Sequence, residues 1–194
     1  MRLSFQDIED KKEILLSRDI VILQMEIPGE IVSFVIDLAS KAGKKIVLNY
    51  APAVELDNDT LRRIDYLILN EIEAASLAEL ENGTFDETVR RIREKFPGKI
   101  ILTLGNMGCI LVDGNRNVKK VSAFQVEAVD STGCNDAFVG GFVCGLLTEM
   151  GIEATLEFAS AAGALAVIGI GAQPSLPYKS EVEEFLYKQT KFRR

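Results

Sequence analysis

The stretch "KKIVLNYAPAVELDNDTLRRIDYLILNEIEA", residues 44–74, decides the fold. Within it "KKIVLNY" (44–50) and "DYLILN" (65–70) are short continuous apolar runs, the pattern of strands buried on both faces. Between them "APAVELDNDTLRRI" reads as a loop leading into a short helix. After them "EIEAASLAELENG" reads as a helix closed by Asn82-Gly83. The alternation extends both ways. Upstream, "DIVILQM" (19–25) is another buried strand, and "EIVSFVIDLASKAG" (30–43) has helical spacing and ends at a glycine. Downstream, Thr84 and Glu87 have capping-box spacing ahead of "FDETVRRIREKF", and "KIILTLG" (99–105) is a fourth strand. Helices between buried strands imply right-handed crossovers and a mainly parallel sheet flanked by helices, an α/β fold.

After Gly105 the rhythm changes. "GCILVDGNRNVKKVSAFQVEAVD" predicts three short strands joined by tight turns, with Asp113-Gly114 as a turn centre. Two helices follow, from Asp136 to about Met150 and from Ile152 to about Ile168, and Ser180 with Glu183 forms a capping box for a last one. No repeat, low-complexity segment or linker interrupts the pattern, so residues 1–194 read as one α/β domain.

Composition narrows the function. With 47% hydrophobic and 26% charged residues the chain is globular. A net charge of −7 without a basic run argues against nucleic acid and anionic membrane surfaces as partners. The absence of histidine removes Ser-His and Cys-His catalysis and most zinc sites. Acid–base work is left to carboxylates, lysines, tyrosines or thiols. Cys109, Cys134 and Cys144 have no C-x-x-C spacing and leave an odd one over, which suits a reducing compartment. The charged start of the chain is unlike a signal peptide, and the apolar runs 137–147 and 158–172 are shorter than a bilayer requires. A cytoplasmic, soluble protein is expected.

Three stretches can carry chemistry, and each also has a plainer reading. In "DSTGCNDAF" (130–138) a helix begins around Gly133 to Asp136. The unpaired N–H groups and positive dipole end of a helix start make an anion site. A carboxylate, Asp136, beside such a site is electrostatically awkward unless it has a task, and accepting a proton from an attacking hydroxyl is the obvious one. The plainer reading is an acidic residue stabilising a helix start. In "NEIE", Asn70 and Glu73 stand where the third strand meets its helix, at the strand end where open α/β sheets collect ligands. They either order water around a magnesium ion or form an N-cap with a solvated glutamate. In "TLGNMG" (103–108), Gly105 and Gly108 let the backbone approach a ligand or describe a turn. "GIGAQP" (169–174) fails as a dinucleotide fingerprint, because no third glycine follows and Pro174 stops a helix. No P-loop motif is present. Gly140, Gly141 and Gly145 within the following helix predict close packing against a neighbour.

In order along the chain, "VILQMEIP", "KIVLNYAPA", "LILNEIEA", "ILTLGNMG", "FQVEAVDSTGCNDAFVGGF" and "GAQPSLP" resemble the ribokinase branch of the PfkB carbohydrate-kinase family, from about residue 19 onward. The resemblance implies a three-layer ribokinase-like fold and ATP-dependent phosphorylation of a sugar's primary hydroxyl, ribose first. It implies Asp136 as catalytic base and sugar contact, and Gly133, Cys134 and Asn135 as the anion-hole turn. Asn70 and Glu73 match the N-x-x-E motif that organises Mg²⁺ and phosphate, with Glu73 acting through water. Thr103, Gly105 and Gly108 match a nucleotide-contact region, and Ser160 stands near the adenine where relatives carry a longer polar side chain. Asp130, Thr132, Ala166, Gly169, Gly171 and Ser175 fall where ribokinases hold K⁺ or another monovalent cation, several through backbone carbonyls. Glu26 matches a sugar contact.

Two departures carry expectations. The family's turn usually ends Gly-Asp, and here Asn135 precedes Asp136. Asparagine tolerates positive φ, but its side chain adds bulk at the anion hole. By resemblance, roughly a hundred residues of first strands, sugar contacts and β-sheet lid would precede this chain. The alternatives to a working sugar kinase are therefore a nucleotide-binding remnant, or half of a split kinase completed by an N-terminal chain. An exposed strand edge would then favour self-association.

Overall fold

The structure, a computed structural model, describes residues 3–192. The chain begins with two short helices, α1 (Phe5–Glu9) and α2 (Lys12–Leu16), and then alternates: β1 (Ile20–Gln24), α3 (Gly29–Lys41), β2 (Lys45–Asn49), α4 (Asn58–Leu61), β3 (Tyr66–Asn70), α5 (Glu71–Ala78), α6 (Phe85–Lys95), β4 (Lys99–Thr103). A 3-10 turn (Gly105–Met107), β5 (Cys109–Val112) and β6 (Val118–Val121) follow. The elements after them are helices: α7 (Cys134–Leu147), α8 (Ile152–Ala166), α9 (Ala172–Ser175) and α10 (Lys179–Phe192).

The six strands form one sheet in the order β1-β2-β3-β4-β5-β6, and β1 to β4 run parallel. The expected α/β architecture, a mainly parallel sheet flanked by helices, is what the chain forms. Strand residues such as Ile46, Val47, Leu48, Leu67, Ile68, Ile100 and Ile101 are fully buried, which explains their unbroken apolar runs. In register, Asn70 lies beside Thr103 at the carboxyl ends of β3 and β4, and Tyr66 beside Lys99 at their amino ends.

The chain divides into two compact units. The first holds the residues up to Thr103 together with Leu111–Val118; the second holds Leu104–Ile110 and the residues from Lys119 onward. In the second unit, Phe124, Ala137, Phe158, Ala161, Ala162, Ala166 and Val182 make an apolar core. There α7 lies hard against α8. A Cβ on Gly141 would sit 3.0 Å from Ala159 Cα, and one on Gly145 would sit 2.7 Å from Thr155 Cγ2. Those two glycines have the packing role their cost predicts. Gly140 does not: it is exposed with nothing near it.

Four local expectations are corrected. Only two of the three short strands form after Gly105, because residues 122–129 run without a ladder until Val129 and Asp130 donate their N–H groups to the Val167 carbonyl (2.7 and 3.1 Å). Helix α5 stops at Ala78 rather than at Asn82-Gly83. Glu79 takes the left-handed conformation (φ 57°), and Lys95 caps the end by donating to the Leu77 carbonyl (3.0 Å) and pairing with Glu79. Helix α10 starts before Ser180, with Glu181 accepting from Tyr178 N–H (2.6 Å). Asn135 lies inside α7 and is not among the positive-φ residues; the left-handed residue of that turn is Gly133 (φ 79°). Among the described residues no helix is long and apolar enough to cross a membrane.

Candidate active site

In the first unit the carboxyl ends of the strands carry Glu26, Asn70 and Thr103. Asn70 caps α5, and the cap is reciprocal. Asn70 Oδ1 accepts from Glu73 N–H (2.9 Å), while Glu73 accepts from Asn70 N–H (2.8 Å) and from Asn70 Nδ2 (2.9 Å). The carboxylate is not solvated, as a plain cap would leave it, for Glu73 is only 7% exposed. Burial pushes its carboxyl above the ordinary glutamate range, against the two Asn70 donors, which pull it down. Thr103, beside Asn70 in register, donates its hydroxyl to the Leu69 carbonyl at 3.5 Å. Glu26 is exposed just beyond β1. Asn49, at the carboxyl end of β2, is a buried amide (1% exposed) that sequence reading passed over as a strand residue. Its only signal was a polar residue closing an apolar run.

In the second unit, Gly133 is the N-cap of α7 and supplies no side-chain cap. Cys134 N–H reaches back to the Ser131 carbonyl at 3.2 Å, a long bond that an arriving oxyanion could displace. Asp136 stands exposed in the first turn of α7. Burial raises the Cys134 thiol, and nearby Asp136 adds to this against the Asn135 N–H, so Cys134 is a poor competitor for the role of base.

The turn is braced by the segment around α9. Asp130 accepts from Thr132 N–H (2.9 Å), Thr132 Oγ1 (2.6 Å) and Gly171 N–H (2.9 Å). These donors hold its carboxyl below the ordinary aspartate range, the Thr132 hydroxyl most of all. A Cβ on Gly133 would meet Ala172 Cα and O at 3.2 Å. One on Gly169 would meet Ser175 Cβ at 2.8 Å and lie 3.7 Å from the Ala166 carbonyl. Asp130, Thr132 and Gly171 thus come together, as do Ala166, Gly169 and Ser175. Ala172, which backs the turn, carried no sequence signal at all. Gly105 (φ 54°) faces open space, whereas Gly108 (φ 100°) is pressed against the backbone at Val121 to Ala123, so only glycine fits there. Ser160 Oγ lies 3.5 Å from the buried Cys109 Sγ, a neighbour that the sequence did not pair with it.

Residues 2–179 match the pfkB family of carbohydrate kinases. The chain belongs to that family. It is 37% identical over 169 residues to a ribokinase of Bacillus subtilis, covering 87% of this chain and 55% of the relative. It is 33% identical over 188 residues to a deoxyribokinase of Salmonella typhi, covering 95% of this chain and 61% of the relative. The solved ribokinase of Arabidopsis thaliana, complexed with ribose and ATP, superposes with a TM-score of 0.84 at 29% identity, over 95% of this chain and 60% of that one. The chain therefore spans little more than half the length of the relatives it matches.

For a pfkB-family chain the donor set suits the ions the resemblance implies. No group of three or more Cys, Asp or Glu side chains forms a metal cage among the described residues. Mg²⁺ does not require one, since it keeps most of its waters and is held through one or two carboxylates and substrate phosphates. Glu73, fixed in place by Asn70, would offer one such carboxylate. A monovalent cation is hard and takes oxygen. The ionised Asp130, the Thr132 and Ser175 hydroxyls and the nearby carbonyls are all oxygen donors, and Gly169 keeps side-chain atoms out of the turn they form.

Proposed function

We propose that this chain carries the phosphoryl-transfer machinery of an ATP-dependent sugar kinase, with ribose as the leading substrate and deoxyribose the next. One observation carries the reading: helix α7 starts on a left-handed glycine with no side-chain cap, and an exposed carboxylate, Asp136, stands in its first turn. A helix start that served only structure would gain about 1 kcal/mol from a Ser, Thr, Asn or Asp cap. Here that gain is forgone.

In the reaction, a carboxylate oxygen of Asp136 accepts the proton of the sugar's primary hydroxyl. The hydroxyl oxygen bonds to the γ-phosphorus of ATP as the bond to the β,γ-bridging oxygen breaks, and ADP leaves with that electron pair. The N–H groups of Gly133, Cys134 and Asn135 hold charge developing on the transferred group. Asn70 and Glu73 would hold Mg²⁺ through water, and the ion would supply charge neutralisation on the nucleotide phosphates. Thr103, Gly105 and Gly108 contact the nucleotide, and Ser160 lies by its base. Asp130, Thr132, Ala166, Gly169, Gly171 and Ser175 would hold K⁺, which would supply positive charge behind the turn. Glu26 contacts the sugar.

A second reading has a specific support, the 55% to 61% coverage of the relatives' length. In it the chain binds ATP with Mg²⁺ and needs another polypeptide to present the sugar. The deciding experiment is sugar-dependent ADP release with Mg²⁺ and K⁺, using ribose and deoxyribose, beside an ATP-binding measurement. Turnover that falls by at least about 100-fold in Asp136→Asn, with ATP affinity nearly unchanged, is the expected result. ATP binding without turnover selects the second reading. An Asp136→Asn variant that keeps its rate removes Asp136 as the base.

A further inference from the structure

A polar hollow lies at the ends of the strands opposite those that carry Asn70 and Thr103. It has a volume of about 440 Å³ and opens at the amino ends of β2, β3 and β4, within the first unit. Lys45, Arg62, Asp65, Tyr66, Gly98 and Lys99 are among the residues that line it. Register explains the convergence. Val47 pairs with Tyr66 and Tyr66 with Lys99, so the side chains of Lys45, Tyr66 and Lys99 leave the sheet on one face.

The charges there are not spent on each other. Among the described residues neither Lys45 nor Lys99 forms an ion pair, whereas nine lysines and arginines outside the hollow, such as Lys41 and Lys119, do. Lys99 is held in place by Tyr66: its Nζ donates to the phenol oxygen at 3.2 Å and lies 4.7 Å from the ring centroid. Among the described residues the one ion-pair partner of Arg62 is the exposed Asp59, at 3.5 Å. The one lining carboxylate, Asp65, is engaged by Ile46 N–H at 2.7 Å. Three cations against Asp65 leave two positive charges in excess, on a chain whose net charge is −7. A phosphate monoester, with a charge of about −1.5 to −2 at neutral pH, matches that excess. The volume lies in the range of small-molecule sites, about 300 to 1,000 Å³, and leaves room for an organic body the size of a sugar beside the phosphate.

We propose that this hollow binds a small phosphate monoester. The site is separate from the one under the proposed reaction: Tyr66 and Asn70 stand at opposite ends of β3, about 13 Å apart at about 3.3 Å per residue. It does not depend on the kinase reading.

The test is an amide NMR titration of the whole chain with ribose 5-phosphate, ribose and inorganic phosphate. Saturable shifts at Ile46, Gly98 and Lys99 with the ester are expected, absent with ribose and weaker with inorganic phosphate. Lys45→Glu, an exposed change at the start of β2, weakens that binding at least tenfold with the remaining spectrum intact, and Arg62→Glu does the same by a smaller factor. Absence of saturable shifts, equal shifts with ribose, equal affinity for inorganic phosphate, or an affinity untouched by Lys45→Glu each overturns the proposal. Binding at the α7 turn reports on the amides of residues 133–136, so the two sites are read separately.

Discussion

Two helices of this chain begin in opposite ways. At α5, Asn70 and Glu73 satisfy each other so fully that three hydrogen bonds close the helix start and bury the glutamate. At α7, Gly133 turns left-handed and offers no side chain, and the first-turn acid stays exposed. Both starts carry an acidic residue in the first turn, so composition does not separate them. What separates them is the residue before: an asparagine that keeps the N–H groups for the protein, or a glycine that leaves the helix dipole facing outward. A closed start positions a carboxylate; the open one at α7, we propose, receives an anion.

The largest test of that contrast is Gly133→Ala. A side chain there must hold φ near 79°, which costs an L-residue about 1 to 2 kcal/mol, and its Cβ meets the Ala172 backbone at 3.2 Å. The expected loss is about 2 kcal/mol or more in urea unfolding, together with weakened binding of ATP. If Gly133→Ala is as stable as the parent and binds ATP equally, the open start is not a built feature.

Asn70→Ala probes the closed start and costs less. It removes the cap, worth about 1 kcal/mol, and strips the Glu73 carboxylate of its Nδ2 donor. Asn70→Ser restores the cap without that donor and recovers most of the stability. A loss above that of Gly133→Ala would reverse the ranking of the two starts.

The difference between the starts also explains how much of the molecule could be read in advance. Strands β2 to β4 were legible because burial on both faces forces unbroken apolar runs. Strand β1, read as equally buried, has the same kind of run with Ile22 exposed and only Val21 buried. The positions of Asn70, Glu73, Gly133 and Asp136 followed from where the runs meet helices. The ends of elements were less so. Asn82-Gly83 is a stronger helix stop in isolation than Glu79, but Lys95, sixteen residues on, rewards an earlier stop by capping Leu77 and pairing with Glu79. The bracing of the α7 turn by Ala172, and the pairing of Ser160 with Cys109, rest on contacts between residues dozens of positions apart. No local pattern encodes them. The plainer reading of "NEIE" was right about the cap and wrong about solvent, because spacing reveals a capping box but not what packs over it.

The smallest effect, and the most selective, is in pH. Burial, the leading influence on Glu73, raises its carboxyl in the folded chain. Its stabilising contribution is therefore full below the ordinary glutamate pKa of about 4.3 and lost as pH rises through the raised folded value. Asp130 is the reverse. Its donors, Thr132 Oγ1 foremost, lower its carboxyl, so its contribution is present above the ordinary aspartate value and lost as pH falls through the lowered one. Between about pH 2 and 7, Asp130→Asn should lose on the parent as pH climbs through the lowered aspartate value toward 4 and stay level above it. Glu73→Gln, which can still accept from Asn70 N–H, should gain on the parent as pH climbs from about 4 toward 7. Unfolding midpoints of the parent and the two variants across that range check both signs at once. If Glu73→Gln tracks the parent at every pH, the buried carboxyl ionises without penalty, and the Asn70 donors rather than desolvation set its behaviour. The closed start of α5 would then hold a carboxylate that is charged above the ordinary glutamate value of about 4.3, the state that best suits water around a divalent ion.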